Sequence, residues 1–287
     1  MKKGLWIFLL LLCVTFSASC RRDRRHYEQR TPEYSDYVEI KDSITIIGNP
    51  DTSTCRNPYS KDALLKQIIN TDLSSIELTR KAYSLSYNQN TLCPNWVAWH
   101  LTAEHIDGDC QRDYAYYEDD DVPFPKATNA DYRKSGWSGG HMCPAGDNKW
   151  DTVAMRQSNL LTNICPQHAS LNSGVWNVIE RDCRKWAKKY GDVYIACGPI
   201  FLNKEHETIG INKVVVQEAF FKVILRLSPQ PAAIGYIIRN NEGKKKRDQF
   251  VNTVDEVERI TGMDFFPALP DDIEDEVEAH ANLEEWK

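Results

Sequence analysis

The sequence predicts an α+β protein with a mainly antiparallel central sheet and flanking helices. Short runs rich in β-branched and aromatic residues follow one another with few helical stretches between them, and Gly, Pro and Asn separate the runs, which favours antiparallel pairing. One segment, 175–190, differs because its large apolar residues recur at steps of three and four, the period of an α-helix. The apolar fraction of 41% is sufficient for a sizeable core.

The predicted elements can be placed along the chain. A strand at 38–47 and a short helix at 61–69 precede the main set of strands, and a helix at 254–261 follows it. The main strands are predicted at 96–102, 160–164, 193–197, 214–217, 220–227 and 232–238.

Residues 1–20 are predicted to be a signal peptide. Lys2 and Lys3 precede an apolar run at 5–16, which is too short for a comfortable transmembrane span, and small residues then precede Cys20. This arrangement resembles a bacterial lipoprotein signal. It predicts a lipid anchor at Cys20 and export from a Gram-negative-type bacterium to the cell envelope, in the periplasm or at the outer membrane, with plain secretion as the alternative.

Charge is unevenly distributed. The formal net charge of −6 argues mildly against nucleic-acid binding by the chain as a whole. The acidic residues are concentrated at 118–121 and 271–285, so the composition still permits a local positive groove. One basic run, Gly-Lys-Lys-Lys-Arg at 243–247, could contact a phosphate backbone, with a solvated hairpin tip as the alternative.

The helix at 175–190 places two polar residues beside its apolar face. At about 100° per residue, Asn172 projects onto the centre of that face and Glu180 lies about 80° away, at its edge. Arg181, Arg184 and Lys188 fall on the opposite side, towards solvent. Taken alone, Asn172 could cap the helix, and Glu180 could be a solvated residue paired with Arg184.

An ordered series of short motifs surrounds these residues. Gly-His at 140–141 is followed by Pro-Ala-Gly-Asp at 144–147, Thr-Asn-Ile-Cys-Pro-Gln at 162–167 and Leu-Asn-Ser-Gly-Val-Trp at 171–176, with Glu180 eight residues after Asn172. This series resembles the DNA/RNA non-specific endonuclease family, whose active site is a ββα-metal (His-Me finger) unit. Further matching segments extend the resemblance over about residues 80–270, at 83–88, 95–98, 198–201 and 261–266.

The resemblance implies sequence-independent hydrolysis of phosphodiester bonds in DNA and RNA. It assigns His141 as general base, a role that suits its intrinsic pKa, and Asn172 as the direct ligand of Mg²⁺, with Mn²⁺ or Ca²⁺ as substitutes. Glu180 would hold a metal-bound water, and Asn163 would orient the histidine or the ligand shell. Arg112 aligns with a phosphate-contacting arginine, although an ion pair with a neighbouring aspartate, Asp109 or Asp113, is the alternative.

These assignments divide the chain into regions. A polar linker or N-terminal extension is predicted at 21–75, the non-specific endonuclease domain at 76–270 and an acidic C-terminal tail at 271–287. The sequence leaves the oligomeric state open.

One position departs from the family pattern. The Asp-Arg that precedes Gly-His in the family is Ser138-Gly139 here, and the resemblance places that arginine near the scissile phosphate. Its absence predicts lower turnover, an altered substrate preference or compensation by another cation, and it leaves a nuclease-like binding protein with impaired catalysis as an alternative. The basic residues nearest in sequence are Arg133, Lys134, Lys149 and Arg156.

Cysteines offer two further hypotheses. Seven of the nine cysteines lie beyond residue 20, and an exported protein with that many is expected to form disulfides. Cys143 and Cys165 follow His141 and Asn163 by two residues each, which suggests a Cys143–Cys165 disulfide. Alternatively, these cysteines, His141 and His168 could bind structural zinc, which would make the region a stapled binding module rather than an enzyme.

Overall fold

The computed structural model describes residues 61–69 and 73–287. The predicted signal peptide at 1–20 with its anchor Cys20, the strand predicted at 38–47 and most of the predicted linker lie outside the described residues. Within the described ranges, none of the helices combines the length and hydropathy that spanning a bilayer requires.

Most strands follow one another in two groups, β1–β4 and β7–β11, with helices between and after these groups. The strands are β1 (Ile68–Ile69), β2 (Ile76–Thr79), β3 (Ser84–Asn88), β4 (Cys93–Thr102), β5 (Ser138–His141), β6 (Ile164–Gln167), β7 (Asp192–Ile200), β8 (Thr208–Ile209), β9 (Val214–Val215), β10 (Ala219–Arg226), β11 (Ala232–Arg239), β12 (Val251–Asn252) and β13 (Met263–Asp264). The α-helices are α1 (Lys61–Leu64), α2 (Ala103–Ile106), α3 (Asn129–Tyr132), α4 (Thr152–Ser158), α5 (Ala169–Leu171), α6 (Asn177–Tyr190), α7 (Val254–Thr261) and α8 (Asp271–Glu278). A π-helical turn spans Asn172–Trp176, and 3₁₀ turns span Ala145–Asp147, Leu161–Asn163, Arg247–Phe250 and Leu283–Trp286.

A seven-stranded sheet forms the centre of the fold, in the order β12-β11-β10-β7-β4-β3-β2. Every ladder between its neighbouring strands is antiparallel. The α+β class and the mainly antiparallel central sheet predicted from the sequence are therefore confirmed.

Each face of this sheet carries its own apolar layer. Along β7, Val193, Ile195 and Cys197 belong to the layer that contains α6, whereas Tyr194 and Ala196 belong to the layer that contains α7 and α8. This division follows from the alternation of side chains along a strand. The sheet therefore separates the apolar layer beneath α6 from the layer beneath α7 and α8.

The predicted helix at 175–190 is present, with a kink at its beginning. The π-turn runs into α6, and Gly174 within that turn has non-helical angles (φ −96°, ψ −121°). The carbonyl oxygen of Gly243 accepts a hydrogen bond from the Val175 amide at 3.0 Å. A Cβ at Gly174 would lie 2.3 Å from that same oxygen, so only glycine permits the 243–247 loop to pack here.

Two predicted elements are corrected by the structure. Within the strand predicted at 160–164, Leu161–Asn163 form a 3₁₀ turn, because the Asn163 amide bonds back to Leu160 at 2.9 Å and strand pairing begins only at Ile164. The helix predicted at 61–69 ends at Leu64, where the side chain of Gln67 donates to the Leu64 carbonyl at 3.2 Å. The chain then enters β1, which pairs with β13.

The C-terminal acidic segment packs against the domain. It forms α8 and a final 3₁₀ turn, in which Trp286 is only 2% exposed. The Trp286 ring lies against Trp186 of α6, with ring centroids 4.7 Å apart. Burial of an aromatic side chain of this size is a substantial stabilising contribution.

The hypothesis of a Cys143–Cys165 disulfide is wrong in this structure, since both cysteines are free and buried. β5 and β6 run antiparallel, so a step towards the C-terminus on one strand runs opposite to the same step on the other. Cysteines that each follow a neighbouring pair by two residues therefore lie far apart rather than opposite each other. Cys165 accordingly pairs with Gly140 in the ladder. The Cys143 sulfur instead accepts a hydrogen bond from Asn148 Nδ2 at 3.4 Å.

Candidate active site

A ββα unit builds the candidate active site. β5 and β6 form a two-stranded ladder that ends with His141 opposite Ile164, and α5, the π-turn and α6 follow directly. A cleft of about 330 Å³ opens between them. The cleft is lined by four of the five predicted site residues: Arg112, His141, Asn172 and Glu180. Ser138 and Arg184 also line it.

The ring of His141 is oriented by Asn159, at the C-terminal end of α4. Asn159 Nδ2 donates to the carbonyl oxygen of Asp113 at 3.0 Å, which identifies the other amide atom as Oδ1. This Oδ1 lies 2.8 Å from His141 Nε2. An amide oxygen can only accept, so Nε2 carries the proton and the neutral ring keeps the lone pair on Nδ1.

The surroundings of His141 favour its neutral form. Burial lowers the pKa of His141 to about 4, the positive charge of Arg112 acts in the same direction, and the hydrogen bond to Asn159 opposes them. With this pKa the imidazole is neutral at pH 7. Among the described residues Nδ1 has no hydrogen-bond partner, so it is open to accept a proton.

Asn163 is the predicted site residue that does not line the cleft. It is fully buried, and its Oδ1 accepts from the Cys143 amide at 2.9 Å. Its Nδ2 donates to the Cys143 carbonyl at 2.8 Å and to the Ser158 carbonyl at 2.7 Å. Asn163 therefore fixes the backbone just after His141 to the end of α4.

Asn172 is not an N-cap. Its backbone is helical (φ −56°, ψ −47°), because α5 runs into the π-turn through this residue. Its Nδ2 donates to the Gly139 carbonyl at 3.4 Å, and its Oδ1 has no hydrogen-bond partner among the described residues. The amide is thereby anchored on β5 while its oxygen remains available at the cleft.

Glu180 lies two turns beyond Asn172. The carboxylate is half-buried, and burial raises the pKa of Glu180 to about 7. Lys222, Arg184 and Arg112 oppose this rise, while Asp147 adds to it. No hydrogen bond to the Glu180 carboxylate occurs within the described part of the chain, so this group also remains available at the cleft.

A buried lysine lies beneath the site. Lys222 on β10 is 0% exposed, and its Nζ lies 4.3 Å from the ring centroid of Trp176 and 5.1 Å from that of Trp99. Nζ has no hydrogen-bond partner among the described residues. Burial lowers the pKa of Lys222, but the neighbouring Cys197, Glu180, Cys183 and Asp147 together raise it above its ordinary value, which favours the ammonium form.

Arg184 forms an ion pair with the buried carboxylate of Asp147. Arg184 Nη1 donates to Asp147 Oδ1 at 2.8 Å, and the Trp99 indole donates to Asp147 Oδ2 at 3.1 Å. The expectation that Arg184 points into solvent is wrong, because its side chain is only 20% exposed. Four residues after Glu180, it lies on the same side of the helix.

The cations of the cleft are Arg112 and Arg184, and none of the four basic residues nearest to Ser138-Gly139 in sequence lines it. Arg112 is exposed, lies 5.3 Å from the ring centroid of Tyr114 and makes no ion pair with Asp109 or Asp113. At Gly139, an added Cβ would lie 3.0 Å from the Tyr116 ring. Tyr116 therefore occupies the space beside the position where the family carries its arginine.

The structure does not support the zinc hypothesis. Within residues 61–69 and 73–287, the one group of His, Cys, Asp or Glu side chains spaced to hold a metal ion lies elsewhere, and it contains neither histidine nor cysteine. His168 instead interacts with the hydroxyl of Ser170 at 2.7 Å, and burial raises the pKa of Cys143 and Cys165, which keeps both as thiols.

Three residues of the site were not predicted. Nothing in the sequence marks Asn159 as a site residue, because its contact with His141 depends on where α4 ends in space. Arg184 was considered only as a solvated ion-pair partner of Glu180, although its spacing of four residues from Glu180 already places both side chains on one side of the helix. Lys222 could also have been found, as a charged residue flanked on both sides by apolar residues within the strand run at 220–227.

Comparisons with known proteins agree with this geometry. The sequence pattern of the family described as DNA/RNA non-specific endonuclease matches residues 60–272. Nuclease EXOG of Xenopus laevis is 34% identical over 275 residues, which cover 89% of this chain and 71% of the relative. Nuclease C1 of Cunninghamella echinulata is 36% identical and matches 67% of this chain and 83% of its own length.

A solved structure has the same architecture. A chain in the crystal structure of the EndoG/EndoGI complex superposes with a TM-score of 0.64 at 30% identity, covering 68% of this chain and 86% of that one. These relatives support a hydrolytic nuclease with a ββα-metal fold rather than a binding module.

The comparisons correct the predicted localisation. EXOG of Xenopus laevis and Endonuclease G of human and Caenorhabditis elegans are named as mitochondrial nucleases, which points against an exported lipoprotein of a Gram-negative-type bacterium. The prediction rested on a short apolar run and one cysteine.

The ββα unit, the cleft residues and the extent of the sequence match lead to one conclusion. The chain belongs to the DNA/RNA non-specific endonuclease family.

Proposed function

We propose that this nuclease hydrolyses phosphodiester bonds within DNA and RNA at the cleft of the ββα unit, with Mg²⁺ as its metal. One observation carries the proposal. An unprotonated ring nitrogen, His141 Nδ1, and an unpartnered amide oxygen, Asn172 Oδ1, belong to residues that line the same cleft. A general base and a hard oxygen ligand are the two groups that metal-assisted hydrolysis requires.

His141 acts as general base in this proposal. Its Nδ1 takes a proton from the attacking water as the new phosphorus–oxygen bond forms and the bond to the leaving oxygen breaks. Asn159 holds Nε2–H, and so keeps the basic nitrogen turned to the cleft. Asn163 supports the same geometry by fixing the backbone at Cys143, two residues further along the chain.

Asn172 and Glu180 fit a hydrated Mg²⁺. The neutral oxygen of Asn172 offers one direct ligand, and Glu180 can accept hydrogen bonds from water held by the ion. Mg²⁺ suits this donor set because it dehydrates reluctantly and keeps several waters. When bound, the ion supplies charge stabilisation for the phosphate and for the leaving oxygen.

Arg112 is proposed to contact the substrate phosphate. It is exposed at the rim of the cleft and free of an ion pair with Asp109 or Asp113, so its guanidinium can form a charge-assisted hydrogen bond to a phosphate oxygen. Arg112 thereby replaces the phosphate-contacting arginine of the family, whose position is occupied by Gly139 in this chain.

The substrate is proposed to extend beyond the cleft towards the basic loop at 243–247. A second, larger cavity of about 840 Å³ lies next to the cleft, and Ser173 lines both. Lys244, Lys245, Lys246 and Arg247 line this cavity. Lysine and arginine contacts to phosphates give affinity without sequence preference, which matches a non-specific nuclease.

The test is digestion of plasmid DNA and of RNA by the full chain, with Mg²⁺ or with chelator. We expect cleavage of both substrates that needs the metal and is lost in Asn172→Ala. Asn203→Ala, an exposed asparagine away from the cleft, serves as the matched control. Binding of nucleic acid without cleavage in Mg²⁺ would instead favour the binding protein with impaired catalysis.

A further inference from the structure

A second cluster of charged side chains lies on the opposite face of the central sheet. Here α7 and α8 pack over the apolar layer that includes Val254, Val257 and Val277. The carboxylates of Asp255, Glu258 and Glu278 come together at this helix pair. Their ligand oxygens all lie within 4.8 Å of one another.

Glu278 is the unusual member of this cluster. It is only 6% exposed, and its Oε1 is buried without a hydrogen-bond partner among the described residues. Burying an unpartnered carboxylate oxygen is costly, and a native site normally satisfies it with a proton, a donor or a cation. Since Glu278 shares its surroundings with two further carboxylates, the unpartnered oxygen indicates a missing positive charge.

The charges around Glu278 are of one sign. Burial raises the pKa of Glu278 to about 9, and the negative charges of Glu258, Glu274, Asp255 and Asp264 add to this rise. Arg259 of α7 offers no relief, because it forms two hydrogen bonds of 2.7 Å with Glu256 at the exposed side of that helix.

Glu258 is partly satisfied by the backbone. One of its oxygens accepts from the Phe265 amide at 2.7 Å, which fixes the carboxylate beside β13. Asp255 lies one turn before Glu258 on α7 and is exposed, so the cluster opens to solvent on one side. A metal ion could enter there and still reach the buried Glu278.

We propose that Asp255, Glu258 and Glu278 form a calcium site that clamps α8 onto α7, separate from the catalytic centre. Two oxygens on opposite sides of a Ca²⁺ ion are about 4.6–5.2 Å apart, so three carboxylates within 4.8 Å of one another can share one ion. Ca²⁺ accepts irregular sets of carboxylate oxygens and waters, whereas Mg²⁺ demands near-octahedral geometry. Bound Ca²⁺ supplies the positive charge that the cluster lacks.

The test measures thermal unfolding of the full chain as Ca²⁺ is added. Every protein in the test carries Asn172→Ala, so the proposed catalytic metal ligand is absent. At a hundredfold excess over Kd, we expect Ca²⁺ to raise the unfolding midpoint by about 5–10 °C, and isothermal titration calorimetry to report one site. The shape-conserving variant Glu278→Gln should lose both responses.

The matched control is Glu276→Gln, which removes an exposed carboxylate from the same helix and should keep the full Ca²⁺ response. Glu278→Gln relieves repulsion in the cluster and should fold, which a circular dichroism spectrum checks. An unchanged midpoint in Ca²⁺ would overturn the proposal. An equal rise in Glu278→Gln would overturn it as well.

Discussion

Asn159 holds the imidazole of His141 through a 2.8 Å hydrogen bond from Nε2–H to its side-chain oxygen. The direction of this bond is fixed, because Asn159 Nδ2 is used by the carbonyl of Asp113. The contact therefore selects the tautomer in which Nδ1 can accept a proton. A residue outside the family motifs sets the chemical state of the central histidine.

Replacing Asn159 should consequently impair the base without changing the groups that bind substrate. For Asn159→Ala we expect kcat to fall by about 10–100-fold while KM changes little, since removing a residue that orients a catalytic ligand typically has this effect. Steady-state cleavage of a defined oligonucleotide measures both constants. Asn203→Ala is the control, and a selective rise in KM would show that Asn159 acts in binding instead.

The low pKa of His141 makes stability depend on pH. The folded state resists protonation until about pH 4, whereas the unfolded chain takes up the proton near the ordinary histidine pKa of about 6.5. The unfolded state thus binds more protons between these values, and this contribution to the free energy of unfolding is lost as the pH falls from about 6.5 to 4. Urea melts across that range should show a shallower pH dependence in His141→Asn than in the wild type. Parallel curves would contradict the burial of the imidazole.

Arg112 should contribute to the reaction itself. Loss of a charged donor to the reacting phosphate typically reduces turnover by about 10²–10³-fold, so we expect a fall of this order in kcat/KM for Arg112→Ala, with partial recovery in Arg112→Lys. Arg181→Ala removes an exposed arginine from α6 and is the control. Full activity in Arg112→Ala would transfer the role to Arg184, the other cation of the cleft.

Lys222 should act through Glu180. Among the charges that lower the pKa of Glu180, that of Lys222 is the largest, so Lys222→Met should raise this pKa further above about 7. Because a protonated carboxyl holds metal-bound water poorly, the cleavage rate at pH 7 should fall and recover towards pH 9. Lys188→Met, on the exposed side of α6, should leave the pH profile unchanged. A cleavage rate that stays low at every pH would indicate either misfolding of Lys222→Met or a role of Lys222 that does not involve Glu180.

Local patterns in the sequence were sufficient for much of the fold. The recurrence of large apolar residues every three to four positions at 175–190 predicted α6, because a helix brings residues at this spacing onto one face. The strand runs predicted β7, β10 and β11 for a similar reason, since side-chain alternation and branched residues act within one strand. The prediction of a strand at 160–164 was wrong because the side chain and amide of Asn163 bond to nearby backbone groups and favour a turn.

The sequence by itself determined the α+β class, the order of the family motifs and the identity of His141, Asn172 and Glu180 as candidate site residues. Only the tertiary structure decided that Asn159 reaches His141, that Lys222 lies beneath Glu180 and that two cysteines with equal spacing do not meet. These contacts depend on strand register and loop paths, which join segments far apart in the chain. Periodicity describes one element at a time, so it carries no information about which elements become neighbours.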